Sequence, residues 1–382
     1  MTDIYFIRHA ESFGNLTRRA YGWYDGILTP KGYRQAECLR KRFADIAIDA
    51  VYSSDLMRAR ETAAAIYEPK GLALHTDAAF REISLGAWED RPWGELPSLY
   101  PEAYENWLAH PLAFRVEHSE SYADVYARIK PALDRAVCEN EGRTIAVVSH
   151  GAAIRILMYG ITHNGDLTDI EKSDWGDNTC VSRFRFENGK YTEIFKNDNS
   201  HLSAMPGFSD NMNWVREGGG RNVWFEYAEY PRDKEKIRTY HAEAWLDIFG
   251  DEIANIRDVD SKARRVLKKS SDNIAFAYCT DGEIGMIETD EDIKLYPSAG
   301  HISLVYLKPE YRRRRYGIQL IGHAMSKYGN MGKKHLSVRV SETNKSAYAF
   351  YKKYGFYEAF RETEDKVRQI VMLLDIGGQN RV

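Results

Sequence analysis

The sequence has few cysteines, no long apolar run and no marked excess of either charge, and each of these features argues against a class of protein. Its 382 residues include only four cysteines, widely spaced and without a Cys-x-x-Cys pair. This argues against a disulfide framework and a thiolate zinc site, and it favours a reducing, cytoplasmic compartment. No stretch approaches the roughly 18 uncharged apolar residues of a membrane span. The first residues also lack the pattern of a signal peptide, so we expect a protein that is neither exported nor membrane-embedded.

The charge balance argues against a dedicated nucleic-acid binder. Lys and Arg number 53 against 56 Asp and Glu, so the net charge is only −3 and no basic field covers the chain. A hydrophobic fraction of 43% and a charged fraction of 29% are typical of packed globular proteins. Since a domain usually has about 100–200 residues, the length predicts two domains.

The first half of the chain alternates short apolar runs with helical patterns, which is typical of a largely parallel sheet. The predicted strands are Ile4–Ile7, Ala50–Tyr52, Leu72–Leu74 and Ile145–Val148. The predicted helices are Gly32–Ala44, Asp55–Tyr67 and Tyr122–Glu139. A hairpin is expected to end this half, with the strands and turn Cys180–Phe186, Lys190–Phe195 and Asn188-Gly189. We therefore expect an α/β domain over residues 1–200.

A segment rich in Ser, Asn and Gly separates the two halves. Residues 201–221 contain Gly218-Gly219-Gly220 and are predicted to be a linker, followed by a second domain over residues 222–376. The predicted strands of that domain are Val223–Tyr227, Ile274–Cys279, Ile284–Glu288, His301–Leu307 and His335–Val340. Its predicted helices are Arg232–Phe249, Gly317–Tyr328 and Lys345–Tyr354. Because strands outnumber helices here, we expect a mixed α+β fold.

Basic and imidazole side chains follow three of the predicted strands in the first half. Arg8-His9 follows the first predicted strand, and Ser149-His150-Gly151 follows the fourth. Arg58 lies in the first turn of the helix that follows the second strand, and Asp55 is the predicted N-cap of that helix. The carboxyl ends of parallel strands form one ligand-binding edge, so these side chains should converge. Arginine matches phosphoryl oxygens, and a neutral imidazole can attack phosphorus. The sequence therefore predicts a phosphate pocket that contains a nucleophile.

Five motifs extend this pattern along the first half. They are Arg8-His9-Ala10-Glu11-Ser12 with Asn15, Leu28-Thr29-x-x-Gly32-x-x-Gln35-Ala36, Ser53-Ser54-Asp55-Leu56-x-Arg58-Ala59-x-x-Thr62-Ala63, Arg81-Glu82-Ile83 with Gly86-x-Trp88-Glu89, and Ser149-His150-Gly151. In order and spacing the set resembles the histidine phosphatase superfamily over about the first 200 residues. This resemblance implies the three-layer α/β/α fold of phosphoglycerate mutase-like proteins.

The same resemblance implies a role for each residue of the pocket. His9 would be the nucleophile that forms a phosphohistidine, and Glu82 the general acid that protonates the departing oxygen. The phosphoryl group of a small phosphorylated metabolite would be held by Arg8, Asn15, Arg58, His150 and Gly151. No metal would be required, because arginine and histidine supply the positive charge that a phosphoryl transition state needs.

Several points stay open at this stage. Spacing alone leaves three alternatives to Glu82 as the general acid, namely Glu89, Asp90 and Glu95. The superfamily also includes phosphoglycerate mutases, which transfer the phosphoryl group, but Arg81–Glu89 resembles the phosphatase version and favours hydrolysis. The helical region Leu96–Phe114 is rich in aromatic residues, which would either cap the pocket or belong to the core.

A second anion site is predicted in the other half. The strand His301–Leu307 leads into Pro309-Glu310-Tyr311, then into Arg312–Gly317 and a helix. Such a strand-to-helix turn directs backbone N–H groups at an anion and could hold a pyrophosphate. Four consecutive arginines alone would indicate a nucleic-acid patch, but the near-neutral charge and the position of the turn disfavour that interpretation.

Downstream of this turn stands Asn344-x-x-Ala347-x-x-Phe350-Tyr351-x-Lys353-x-Gly355-Phe356. Together with the turn it resembles the GNAT family of N-acetyltransferases, over about Asn222–Leu374. The resemblance implies acetyl-CoA as the cofactor, an unknown amine as the acceptor, and Tyr351 as the group that protonates the leaving thiolate. The coenzyme would contact Val305, Leu307, Arg312, Arg313, Arg314, Arg315, Tyr316, Gly317, Asn344 and Tyr351.

Whether this second domain catalyses acetyl transfer stays open. Tyr351 and Asn344 favour catalysis, whereas Arg315 stands where the family turn has its first glycine and favours a module that only binds coenzyme A or a partner. The base that would deprotonate the amine is also open. Its candidates are several Asp residues and Glu283, Glu288 and Glu342.

Overall fold

The computed structural model describes residues 1–205, 221–249, 256–364 and 367–377. Most of the predicted linker, including its three consecutive glycines, lies outside these ranges. The first residues of that segment pack against the first half: Leu202 is buried, and the His201 ring lies 3.1 Å from both the Thr179 hydroxyl and the Arg42 guanidinium. Within the described ranges, no helix combines the length and the apolar character needed to cross a bilayer.

A six-stranded sheet forms the centre of the first half. Its strands are β1 (Thr2–Arg8), β2 (Ala50–Ser53), β3 (Leu74–Thr76), β4 (Thr144–Ser149), β5 (Val181–Glu187) and β6 (Lys190–Asp198). They lie in the order β3-β2-β4-β1-β5-β6. β1 to β4 run parallel, while β5 and β6 are antiparallel. The expected parallel sheet with a terminal hairpin is confirmed.

Helices cover both faces of this sheet. They are α1 (Phe13–Thr17), α2 (Pro30–Arg42), α3 (Met57–Tyr67), α4 (Leu96–Leu99), α5 (Pro101–Ala109), α6 (Tyr122–Glu139) and α7 (Gly151–Thr162). Because side chains alternate along a strand, Tyr5 and Ile7 of β1 pack with α2 and α3, whereas Ile4 and Phe6 pack with α6 and α7. The three-layer α/β/α architecture is therefore confirmed.

Two local predictions in this half are wrong. The third strand is Leu74–Thr76 and not Leu72–Leu74, because the Leu72 N–H bonds back to the carbonyl of Tyr67 at the end of α3. Asp55 does not cap α3: the N-cap is Leu56, and no side chain caps this helix. The Asp55 carboxylate instead receives two hydrogen bonds from Arg81, at 2.7 and 2.6 Å. A bidentate guanidinium pair is stronger than a single capping bond.

The second half is built on a seven-stranded sheet. Its strands are β7 (Trp224–Tyr227), β8 (Ile274–Cys279), β9 (Gly282–Asp290), β10 (Ala299–Leu307), β11 (His335–Ser341), β12 (Tyr357–Glu364) and β13 (Val367–Asp375), in the order β12-β13-β11-β10-β9-β8-β7. Its helices are α8 (Lys234–Phe249), α9 (Ile256–Lys269), α10 (Tyr316–Asn330) and α11 (Lys345–Lys353). The mixed α+β fold is confirmed, although α9, β12 and β13 were not predicted from the sequence. One core lies between the sheet and α8 and α9, and another between the sheet and α10 and α11.

The two parallel strands of this sheet separate partway along their length. β10 and β11 pair from Ala299 opposite His335 to Ile302 opposite Val338, and the pairing ends there. β10 continues to Leu307 against β9, with an irregular register between Ile302 and Leu304. A cleft therefore opens between β10 and β11, and it leads towards the first turn of α10.

Helix α10 is buried along its length, because the two halves of the chain enclose it. All its residues from Tyr316 to Gly329 are buried. On one side it packs against its own sheet. On the other it meets α1, so that Phe13 belongs to the same apolar core as Ile318 and Ile321. The Ser326 hydroxyl joins this contact by accepting a hydrogen bond from Arg19 (2.9 Å) and donating one to Asp90 (2.5 Å).

Gly322 is where the two halves approach most closely along α10, and we predict that Gly322→Ala destabilises the protein. A Cβ there would lie 2.5 Å from the Cβ of Thr17. We expect the free energy of unfolding to fall by about 1–3 kcal/mol through overpacking. Chemical denaturation measures it, and the double variant with Thr17→Gly should show a favourable coupling energy. Helix propensity alone would make Gly322→Ala stabilising. An increase in the free energy of unfolding of this single variant would therefore contradict this packing.

Candidate active sites

His9 lies directly after β1, and its hydrogen bond selects one tautomer. The ring is buried, with its Nδ1 atom 2.7 Å from the carbonyl oxygen of Ala10. A carbonyl can only accept, so Nδ1 carries the proton and Nε2 carries the lone pair. The main chain is held on both sides: the His9 N–H donates to Ser149 (2.9 Å), and the Ala10 N–H donates to the Thr62 hydroxyl (2.9 Å). The imidazole is thus presented with Nε2 available as a nucleophile.

Arg58 is buried in the first turn of α3, where main-chain carbonyls hold it. Its two terminal nitrogens donate to the carbonyls of Tyr24 (2.9 Å) and Gly22 (2.7 Å). The carboxylate of Asp25 lies 3.8 Å away. The loop that carries these carbonyls therefore fixes the direction of the guanidinium.

Glu89 in turn fixes that loop. Its carboxylate accepts hydrogen bonds from the backbone N–H groups of Gly22 (3.1 Å), Trp23 (2.7 Å), Tyr24 (2.8 Å) and Leu85 (2.9 Å). Burial is the largest influence on this carboxyl and raises its pKa, although the four N–H groups act in the opposite direction. All four bonds are structural, so Glu89 is fully engaged away from the nucleophile.

The partly buried Arg8 and the buried His150 complete a cluster of cationic and imidazole groups. The His150 ring lies 5.1 Å from the His9 ring, centroid to centroid, at the N-cap of α7. Arg8 donates to the carbonyl of Gly176 (2.6 Å), and a Cβ on Gly151 would lie only 3.3 Å from the Arg8 guanidinium. Among the described residues, neither ring nitrogen of His150 nor the Nε of Arg8 has a hydrogen-bond partner. Buried polar atoms left unpaired in one place indicate a bound group that pairs with them.

Glu82 lies at the N-terminus of α7, beside this cluster. Its carboxylate accepts hydrogen bonds from the backbone N–H groups of Ile83 (3.0 Å), Ala152 (3.2 Å) and Ala153 (2.9 Å). Helix N-termini favour negative groups through their free N–H groups and dipole. The carboxylate is therefore oriented by backbone groups of the helix that His150 caps.

The other two acidic alternatives are occupied elsewhere. Asp90 pairs with Arg19 at 2.7 Å and accepts the hydroxyl of Ser326, in the contact between the two halves. Glu95 lies 3.7 Å from Arg91 on the surface of the same region. Among the four carboxylates near this segment, Glu82 is thus the one hydrogen-bonded to the helix that begins beside His150.

Arg128 on α6 supports the Glu82 segment and was missed from the sequence. It donates to the carbonyls of Ala79 (2.8 Å), Arg81 (2.9 Å) and Glu82 (2.8 Å), and it pairs with Glu120 at 2.7 Å. The local sequence does not indicate this role for Arg128, because an arginine on an amphipathic helix usually faces solvent. Only the tertiary structure brings its guanidinium to this segment.

Asn15 is near the nucleophile but is engaged with its neighbours. Its side-chain oxygen accepts from the Ser12 N–H and hydroxyl, both at 3.1 Å, and from the Asn178 amide at 3.3 Å. The Asn178 amide also donates to the carbonyl of His9 at 2.9 Å. Asn178 has no sequence motif around it and was missed.

The aromatic residues of the region Leu96–Phe114 pack as a core rather than as a free cap. Trp88 is fully buried, and its ring lies 4.9 Å from Phe114, 6.1 Å from Trp107 and 6.4 Å from Tyr104. Tyr122 also belongs to this apolar core. Of the two alternatives predicted from the sequence, a cap over the pocket or a part of the core, the packing therefore supports the core.

Burial and neighbouring positive charge keep both histidines neutral. Burial is the main cause that lowers the pKa of His9 well below its usual value, and the charges of Arg58 and Arg8 add to it. The pKa of His150 is likewise lowered well below its usual value by burial, followed by Arg58, His9, Arg128 and Arg8. A neutral His9 keeps the lone pair that nucleophilic attack requires.

In the second half, the predicted turn adopts a backbone that favours glycine. Arg315 is the N-cap of α10, with φ 68° and ψ 14°, and Arg313 has φ 59°. Arg312 donates to the carbonyl of Leu307 (2.8 Å) and pairs with Asp247. Arg315 thus adopts the left-handed conformation despite its side chain. This conformation costs about 1–2 kcal/mol more for arginine than for glycine.

Tyr351 and Asn344 lie on α11, next to this turn. The Tyr351 ring packs edge-to-face on Phe350 (5.2 Å) and Phe356 (5.0 Å), and burial raises the pKa of its hydroxyl. Val305 and Leu307 contact the same apolar core. The side-chain oxygen of Asn344 caps α11 by accepting the Ala347 N–H at 3.0 Å. The structure therefore brings the strand, the turn and α11 together at the cleft between β10 and β11.

The histidine protonation states can be measured by NMR titration. We expect the ring signals of His9 and His150 to stay at their neutral positions through the range around pH 6.5, where exposed histidines titrate. Arg58→Met should raise both pKa values, since it removes a positive charge, but should leave them below 6.5 because burial remains. The surface variant Arg40→Met should change neither. Titration of His9 near pH 6.5 in the wild type would contradict this account.

The backbone at Arg315 gives a second prediction. Arg315→Gly should raise the free energy of unfolding by up to about 1 kcal/mol, because glycine adopts positive φ without strain. Arg314→Gly is the matched control: φ at Arg314 is not positive, so the same change should lower stability through the added freedom of the unfolded chain. Thermal and chemical denaturation measure both, and equal effects from the two variants would disprove the strain.

Comparison with known proteins agrees with this geometry. Residues 4–199 match the model of the histidine phosphatase superfamily (branch 1), and residues 234–356 match that of the acetyltransferase (GNAT) family. The chain is 31% identical over 208 residues to "Phosphoserine phosphatase 1" of Hydrogenobacter thermophilus, covering 54% of this chain and 96% of that one. It is 28% identical over 207 residues to "Putative phosphoserine phosphatase 2" of the same organism, covering 54% and 100%.

A solved structure supports the same assignment for the first half. "Bacillus stearothermophilus YhfR" superposes with a TM-score of 0.51 and 30% identity, covering 53% of this chain and all of that one. The phosphatase match spans more than half of the 382 residues, and it contains the cluster of Arg8, His9, Arg58 and His150. The chain belongs to the histidine phosphatase superfamily and carries a second domain of the GNAT acetyltransferase family.

Proposed function

We propose that the first domain hydrolyses a small phosphomonoester through a phosphohistidine at His9. The observation that carries this proposal is the convergence of a neutral His9, whose Nε2 is unprotonated, with Arg8, Arg58 and His150 at one end of the sheet. The buried guanidinium of Arg58, the partly buried one of Arg8 and the unpaired nitrogens of Arg8 and His150 suit a phosphoryl dianion. The same groups would stabilise the charge on the equatorial oxygens during transfer.

The proposed reaction has two steps. The Nε2 lone pair of His9 forms a bond to phosphorus as the bond to the ester oxygen breaks, and Glu82 gives that oxygen a proton. A water molecule then attacks phosphorus, and the bond between phosphorus and Nε2 of His9 breaks to release phosphate. The Glu82 carboxylate takes the proton of the water. The three hydrogen bonds to Glu82 keep the carboxyl group in one place through both steps.

The sequence after Glu82 supports hydrolysis over phosphoryl transfer to a second substrate. The segment Ile83–Trp88 contains neither arginine nor tyrosine. It returns directly to Glu89, which is tied to the Gly22–Tyr24 loop. Arg81 lies next to this segment in the chain and pairs with Asp55. The Arg81 guanidinium lies 5.1 Å from the centre of the Trp23 ring. Phosphoserine, in the names of the two relatives, is the first substrate to try.

We assign acetyl-CoA to the second domain, and its residues fit that coenzyme. The edge of β10 beyond Ile302 has no partner strand in β11, and the buried hydroxyl of Ser303 has no hydrogen-bond partner among the described residues. An extended ligand can bond to both. Arg312–Gly317, at the N-terminus of α10, would hold the pyrophosphate, with Val305, Leu307, Asn344 and Tyr351 beside the rest. The bound coenzyme supplies an activated acetyl thioester for an amine.

The phosphatase proposal predicts that His9→Ala abolishes turnover. We expect phosphate release from phosphoserine, with EDTA present, to fall by about 10³-fold or more, because the covalent route is lost. Rapid acid-free quench and mass spectrometry should show one phosphoryl group on His9 of the wild type and none on the variant. His163→Ala is a matched control, since this histidine stacks on Tyr159 at 4.0 Å on the other end of α7.

Two outcomes would decide against this proposal. Retained phosphate release in His9→Ala would exclude the phosphohistidine. Phosphoryl exchange between phosphoglycerates that requires a bisphosphoglycerate primer, with no phosphate released from any ester, would instead establish a mutase.

A further inference from the structure

A buried group of charged side chains lies under α8 and α9 on one face of the second sheet. Glu288 of β9 is completely buried. One of its oxygens lies 2.6 Å from the Lys262 ammonium and the other 2.9 Å from the Nε2 of His241. These two neighbours hold the pKa of the Glu288 carboxyl at about 2, against the opposing effect of burial. The carboxylate is therefore ionised and fixed between a lysine and a histidine.

This group lies beside the cleft between β10 and β11. Glu288 stands opposite Leu304 of β10, immediately after the irregular register between Ile302 and Leu304. The pairing of β10 with β11 ends at Ile302. Directly opposed residues in an antiparallel pair have Cα atoms about 5 Å apart, so the backbone of Glu288 lies next to the point at which the cleft begins.

The hydrogen bond to Glu288 also fixes the tautomer of His241. An ionised carboxylate only accepts, so Nε2 carries the proton and Nδ1 carries the lone pair. Among the described residues, Nδ1 has no hydrogen-bond partner. The side chain is 16% exposed, whereas that of Glu288 is 0% exposed. His241 thus presents an oriented, unprotonated Nδ1 on a side chain that is partly exposed.

We propose that His241, oriented by Glu288, is the general base that accepts the proton of the acceptor amine in the second domain. The proposal rests on acetyl-CoA being the ligand of the cleft. The amine nitrogen forms a bond to the acetyl carbon, the carbon–sulfur bond breaks, and its electron pair leaves on sulfur. The N–H proton of the amine moves to Nδ1 of His241, and the Glu288 carboxylate stabilises the imidazolium formed.

The other candidate bases are held in structural contacts. Glu283 is bound by Lys236, Tyr240 and Tyr278. Glu342 pairs with Arg361 at 3.0 Å. Since Glu288 itself is fully buried between two partners, it acts through His241 rather than on the amine.

His301 is the one other histidine close to this group. Its ring is 3% exposed, and Nδ1 lies 3.1 Å from the Ser337 hydroxyl. Burial, with the charges of Arg339 and Lys262, lowers the pKa of His301 to about 3. A ring this enclosed is less accessible to an amine than that of His241, whose side chain is 16% exposed.

Chemical modification tests the site without a known acceptor. Isothermal titration with acetyl-CoA first establishes whether the coenzyme binds, and an absence of binding would refute the proposed ligand rather than the base. Diethyl pyrocarbonate reacts with unprotonated imidazole, and mass spectrometry measures its rate at each histidine. We expect His241 to react in the free protein and to be protected several-fold by acetyl-CoA, while His335 on β11 keeps its rate. An unreactive His241 would overturn the proposal, and so would equal protection of His241 and His335 by acetyl-CoA.

Acetyl-CoA hydrolysis, with water as the acceptor, tests the base itself. His241→Ala should bind acetyl-CoA as the wild type does but release thiol about 10²-fold more slowly. Added imidazole should restore the rate, which a purely structural role would not allow. His335→Ala is the matched control and should keep the full rate without rescue, and phosphatase activity confirms that each variant is folded.

Four results would overturn the assignment. Unchanged thiol release in His241→Ala would exclude His241 as the base, and so would slow release that imidazole does not restore. A loss confined to His301→Ala would move the role to that residue. A wild type that binds acetyl-CoA but never releases thiol above the uncatalysed rate would make the domain a binding module.

Discussion

The concentration of buried positive charge at one end of the first sheet is the constraint on which this structure depends. Arg58 and much of Arg8 are removed from water, and Asp25, 3.8 Å from Arg58, is the one carboxylate paired with them among the described ion pairs. Burying a charge is costly unless hydrogen bonds replace its water. Carbonyls of Gly22, Tyr24 and Gly176 provide part of that replacement. A bound phosphoryl group would complete it, and this is the physical basis of the proposed anion site.

The supporting groups follow from this requirement. Carbonyl oxygens can hold a guanidinium only if their loop is rigid, and the four hydrogen bonds to Glu89 provide that rigidity. Arg128 does the same for the segment that carries Glu82. The positive field then keeps His9 and His150 neutral, which leaves Nε2 of His9 able to attack. Rigidity, electrostatics and nucleophilicity in this pocket therefore have one common origin.

The contact between the two domains starts next to His9. The short helix α1 follows His9 closely and packs on α10, and the turn that leads into α10 carries the arginines of the proposed coenzyme site. Gly355 near α11 also approaches Pro30, where a Cβ would lie 3.0 Å from the proline ring. The two sites thus share a continuous packed path through α1 and α10. A glycine at position 322 is what lets the two helices meet so closely.

The sequence by itself determined the architecture of both domains and predicted the phosphate pocket of the first. Strand periodicity and the position of Arg8-His9, Arg58 and Ser149-His150 at strand ends depend on local patterns, and parallel strands bring such ends together wherever they form. The choice among Glu82, Glu89 and the other acidic residues depended on tertiary structure, because it is set by which backbone N–H groups surround each carboxylate. The same holds for Arg128, Asn178 and the His241–Glu288 pair, whose partners lie far away in the chain. Local sequence carries periodicity and motifs, but a hydrogen bond between distant segments exists only once the chain has folded.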